Sequence, residues 1–161
     1  MKKVSCALAA LCGIFISPNI FAEQKRDFQC EVWVARNTCW KDFNVSVHLL
    51  DYSNLKTIAT IEFPKVTDNK PQESDFFVKK EFDCNSVDVI TFKSNFSPAI
   101  WKGTDKETYS GRRVWSVPAK IKKKMVWHVD ACFSDDFVGV PTPIRGQKDC
   151  RCIYPEVPPK K

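Results

Sequence analysis

The chain has 161 residues, 43% of them hydrophobic and 12% aromatic, with a formal net charge of +6 and only five glycines. No glycine falls in a Gly-x-Gly-x-x-Gly or P-loop arrangement, so a nucleotide enzyme has no phosphate cradle to build on. The charge excess is mild and fits solubility as well as an acidic or anionic partner.

Residues 1–22 read as a bacterial secretory signal peptide. Lys2 and Lys3 form a basic start, residues 4–16 are mostly apolar, Ser17-Pro18-Asn19 breaks the run, and Ala22 supplies a small residue at the cleavage point. The apolar run is about 13 residues, short of the roughly 20 that a spanning helix needs. Cleavage leaves 139 residues, and losing Lys2 and Lys3 lowers the charge from +6 to +4. That length is one domain. The expected location is the periplasm; an uncleaved signal would add an inner-membrane anchor, and secretion is the alternative. Nucleic acid is not an expected partner there.

Seven strands follow in chain order. In residues 28–35, Phe28, Cys30, Val32 and Val34 alternate with Gln29, Glu31, Trp33 and Ala35, the pattern of a half-buried strand. Arg36-Asn37-Thr38 reads as a turn. Residues 43–50 carry the cleanest period-2 signal, with Phe43, Val45, Val47 and Leu49 on one face. Asp51-Tyr52-Ser53-Asn54 supplies turn chemistry, and residues 57–63 complete a hairpin that stops at Pro64. Residues 67–74 form an exposed loop. The remaining strands are expected at 76–82, 87–92 with a possible extension to 96, 112–117 and 125–133, the last with Trp127, Val129, Ala131 and Phe133 on one face. Residues 137–161 are proline-rich and irregular.

The expected fold is therefore all-β: a single immunoglobulin-like antiparallel β-sandwich of about seven strands over residues 23–136, with a disulfide-stapled tail over 137–161. The likeness to immunoglobulin domains is architectural. Cys30, Trp33 and Cys39 do not reproduce the Cys…Trp…Cys spacing of antibody domains.

Six cysteines remain after cleavage: Cys30, Cys39, Cys84, Cys132, Cys150 and Cys152. An even number in an exported domain reads as a disulfide framework. Cys150 and Cys152 are expected to reach back to different strands; the spacing does not select their partners.

The search for chemistry turns up little. His128 and Asp130 share a strand face, which suits orienting an imidazole, but no nucleophile motif accompanies them. His48 lies on the face opposite Val45 and Val47. No Cys-x-x-Cys, His-Glu-x-x-His or calcium loop is present, so no metal or cofactor is expected. Trp101, Tyr109, Arg112, Arg113 and Trp115 combine aromatics with arginines, as recognition surfaces do, and equally as a loop pinned to a sandwich does. Lys120, Lys122, Lys123 and Lys124 form a basic cluster suited to a solvated turn or an anionic surface. The function expected is a non-enzymatic periplasmic interaction module supporting an envelope assembly, such as a secretion-system accessory, through a protein partner. The alternatives are a secreted or surface binder of anionic glycan or lipid, with peripheral membrane association, and a disulfide-braced inhibitor of a hydrolase.

Overall fold

A computed structural model describes residues 25–67, 70–103, 106–122, 126–143 and 150–155. All seven expected strands form: β1 (Gln29–Arg36), β2 (Asn44–Asp51), β3 (Thr57–Phe63), β4 (Phe77–Phe82), β5 (Val89–Ser97), β6 (Tyr109–Ser116) and β7 (Val126–Phe133). One-turn 3-10 segments stand at Thr38–Trp40, Glu73–Asp75 and Cys84–Ser86, and no α-helix occurs among the described residues. The residues expected to form the signal peptide lie outside the described ones.

The strands make two sheets, ordered β4-β1-β7 and β3-β2-β5-β6. Their period-2 alternation sends one set of side chains between the sheets. From the four-stranded sheet these include the cross-strand row Ile61, Val47, Ser94 and Tyr109, and the row Phe63, Val45 and Phe96. From the three-stranded sheet come Val32, Val34, Val129, Ala131 and Phe133. Trp40 fills the centre, with ring centroids 4.6 Å from Phe96 and 4.9 Å from Phe133.

Two expectations are corrected. The sandwich is not wholly antiparallel, because β7 lies parallel to β1 in the register Gln29 to Val126 through Arg36 to Phe133. Alternation encodes which face is buried and is silent on strand direction. Nor is β1 half-buried. It is the central strand of its sheet, and its second face is also covered. There Glu31 bonds Lys79 (2.7 Å) and accepts from the Trp33 indole (2.9 Å). Burial alone would raise the Glu31 carboxyl, but the bonds from Lys79 and Trp33 outweigh it and hold the group below its ordinary value. Further along the same face, Ala35 pairs with Cys132 and Phe77, and Tyr154 of the tail packs its ring edge against Phe77.

Arg36 ends β1 inside the core at 0% exposure. Its guanidinium donates to the carbonyls of Phe43 (3.1 Å), Phe63 (3.4 Å), Pro64 (2.8 Å) and Asp75. It also lies 5.3 Å from the Phe76 ring centroid and 5.5 Å from that of Phe63. Nε has no partner among the described residues. Burial pushes its pKa down to about 10, against the pull of Asp75, so it stays cationic at neutral pH. The side chain thereby joins the end of β1 to the start of β2, the end of β3 and the 73–75 turn.

Three disulfides close the frame: Cys30–Cys84, Cys39–Cys150 and Cys132–Cys152. Cys150 and Cys152 do reach different elements, but Cys39 sits in a 3-10 turn instead of a strand. The segment after β7 belongs partly to the body. Phe137 is buried in the core, and Arg112 and Val138 hydrogen-bond Asp136 and Ser110, so residues 136–138 cover part of the β6 edge. The bridges indicate an oxidising, non-cytoplasmic compartment. Among the described residues no helix is long and apolar enough to cross a membrane.

Candidate interaction groove

The two outer sheet faces differ. Residues 150–155 lie against that of β4-β1-β7, while that of β3-β2-β5-β6 holds an open groove of about 680 Å³. Registry builds its floor. One row runs Thr57, Leu50, Thr91 and Val114 across all four strands; the next runs Thr60, His48, Lys93 and Ser110. Residues opposite each other in an antiparallel pair share a face, so each row presents its side chains together. The His48 imidazole is 3.1 Å from the Thr60 hydroxyl, and the Thr91 hydroxyl donates to the Arg113 carbonyl at 3.1 Å. The register between β5 and β6 shifts beside Phe92. Gly111 permits this close approach: a Cβ there would stand 3.1 Å from the Phe92 carbonyl oxygen and 3.2 Å from its Cβ.

The β2–β3 turn forms one wall. The Asp51 carboxylate accepts from the hydroxyl and amide of Ser53 and from the Asn54 amide. The Ser53 bonds chiefly hold its pKa below the ordinary value. The Leu55 amide closes the turn onto the Asp51 carbonyl at 2.8 Å, which places Leu55 at φ +58°. This left-handed region suits Gly or Asn; a leucine there is disfavoured by about 1–2 kcal/mol. Leu55 is also 64% exposed, so its own fold gains little from the side chain. Tyr52 is 54% exposed in the same turn, and Val114 is 53% exposed on β6, so three of the large exposed apolar residues converge on one groove. Converging exposed apolar groups mark interaction sites more than scattered ones do. Leu55→Asn should therefore stabilise the fold by up to about 1 kcal/mol, since Asn tolerates the left-handed region, read as a higher urea midpoint. A fall in midpoint would show that the leucine packs for stability after all.

The rim is basic. Lys93, Arg112 and Arg113 line the groove, and no carboxylate does among the described residues. The Arg112 Nε donates to the Asp135 carbonyl (3.1 Å), a neutral partner.

Of the residues singled out in the sequence, Arg112 and Arg113 reach this groove. The other three do not join them. Tyr109 is buried, stacked on Phe96 at 5.5 Å, with its hydroxyl on Glu107; burial first and Glu107 second push its pKa up to about 12. Trp115 packs edge-on against Phe92. Trp101 stands exposed in the loop between β5 and β6. The five therefore do not form one surface: Tyr109 and Trp115 pack on the core side of β6, and Trp101 lies in the loop before it. Lys120 and Lys122 are exposed, and Lys123 and Lys124 lie outside the described residues. His128 stacks on Trp33 at 4.5 Å with its Nε2 4.0 Å from Asp130, on the other sheet. Sequence reasoning missed Tyr52, Leu55, Lys93 and Val114 as a group. One signal was available: an apolar residue in a turn position where Asn or Gly is expected.

No family model, curated protein or solved structure matches this chain.

Proposed function

We propose that this chain is a non-enzymatic interaction module of the bacterial periplasm, on an immunoglobulin-like frame, that docks a protein partner within an envelope assembly such as a secretion apparatus. The observation that carries it is the convergence of Tyr52, Leu55 and Val114 on one groove of a frame closed by three disulfides. Surface apolar groups that contribute little to their own fold are what a partner's interface core uses. A rigid frame also lowers the ordering cost of binding. The export signal and the disulfides support a location outside the cytoplasm.

Photocrosslinking in the native cell tests this. A photoreactive residue at Leu55 or Val114 should give a discrete adduct with one envelope protein. One at Val126, exposed on the other sheet, should not. Absence of an adduct from every position, or recovery of the protein only from the medium, would move the function to the glycan-binding or inhibitor alternatives.

A further inference from the structure

Resting on that reading, we infer that the groove on the β3-β2-β5-β6 face takes an acidic peptide segment of the partner that also carries aliphatic side chains.

The charge argument comes first. Three basic side chains, Lys93, Arg112 and Arg113, line the groove, with no carboxylate among its described lining residues. Among the described residues, the side chains of Lys93 and Arg113 enter no ion pair. Carboxylates of the flanking segments have partners of their own: Asp51 binds Ser53 and Asn54 of its own turn, and Glu107 binds the Tyr109 hydroxyl at 3.0 Å. Three like charges around one concavity repel each other, and an anionic occupant relieves that repulsion while steering encounter.

The apolar argument selects among anions. Leu55 and Tyr52 on one wall and Val114 on the opposite strand offer hydrophobic contact. Leu50 adds an apolar floor. A sulfated or phosphorylated sugar would meet the cations and leave these groups uncovered. A purely apolar segment would cover them and strip water from unpaired cations, which is costly. A segment with both acidic and aliphatic side chains satisfies both halves of the groove.

Fluorescence anisotropy on the disulfide-bonded protein tests the inference. The probes are short labelled peptides of alternating Glu and Leu, of Gln and Leu, and of Lys and Leu, with a heparin oligosaccharide alongside. The Glu–Leu peptide should bind, and the Gln–Leu and Lys–Leu peptides should bind roughly tenfold more weakly or worse. Lys93→Glu and Arg113→Glu should each weaken the Glu–Leu peptide by about tenfold, and salt should weaken it further. Leu55→Asn should weaken it without lowering the urea midpoint, which separates lost contact from lost fold. Equal affinity for the Glu and Gln peptides, indifference to both charge reversals, or binding of heparin alone would overturn the inference. So would a cellular crosslink from Val114 to a neutral or basic partner segment. That last result would leave the interaction-module function standing, whereas failure of all crosslinks would remove the module and leave peptide preference to be judged in the cuvette.

Discussion

Replacing Cys39 and Cys150 together with alanine should lower the unfolding free energy by about 4–5 kcal/mol, the largest loss of the three bridges. The two cysteines are 111 residues apart, against 54 for Cys30–Cys84 and 20 for Cys132–Cys152. A cross-link restrains the unfolded chain more as its loop lengthens, so the Cys132–Cys152 pair should cost only about 3 kcal/mol. Local bonds add to the Cys39–Cys150 loss: Thr38 donates to the Arg151 carbonyl at 3.0 Å and Arg151 donates to the Thr38 hydroxyl at 3.3 Å. Urea unfolding of the two double variants, followed by tryptophan fluorescence, gives the order. If the Cys132–Cys152 variant loses more, packing of the tail on the outer sheet face outweighs loop closure.

Arg36→Ala should cost about 3–5 kcal/mol, comparable with breaking a buried ion pair. The substitution leaves four carbonyls, of Phe43, Phe63, Pro64 and Asp75, without the donor that now joins them. Unmet buried acceptors cost about 1–3 kcal/mol each before any water enters. Arg36→Lys keeps the charge, but a compact ammonium cannot span carbonyls on separate elements, so it should recover only part of the loss. Arg36→Met decides between two accounts. Stability equal to the parent would mean that desolvating the guanidinium cancels its hydrogen bonds, and that the core needs only its volume. A loss near that of alanine would establish the carbonyl cage as the reason for a cation at this position. Equilibrium urea unfolding of all three variants makes the comparison.

All seven strands were legible in outline, and 28–35, 43–50 and 125–133 through a local period-2 signal; β6 starts at Tyr109, three residues before its expected start, because the polar residues ahead of Arg112 read as loop. Val45, Val47 and Leu49 needed no knowledge of their partners to be placed inward. What pairing decides was not legible. The parallel β1–β7 contact rests on which end of the sheet β7 reaches, and no residue pattern in 126–133 states that. Glu31 and Arg36 look like surface or turn residues in sequence; they are buried because β4, β7 and the 73–75 turn, all distant in the chain, close around them. The groove was half legible. Arg112 and Arg113 announced themselves by charge, whereas Lys93 and Val114 acquire meaning only when β5 and β6 pair beside β2. Tyr109 misled because an aromatic near arginines looks alike whether its strand face points in or out.

The connectivity of the bridges carries a consequence for how the chain matures. No bridge joins cysteines that are neighbours in the sequence: Cys30 skips Cys39, Cys39 skips Cys84 and Cys132, and Cys132 skips Cys150. A catalyst that oxidises thiols in their order of emergence from an export channel would first join Cys30 to Cys39, and that product is wrong. Cys39 must wait for Cys150, 111 residues further along the chain. Maturation therefore depends either on folding ahead of oxidation or on a disulfide isomerase that undoes early pairs, since exchange requires an attacking thiolate. Where oxidation runs ahead of folding, the protein's yield should follow the isomerising capacity of its compartment more closely than the oxidising one.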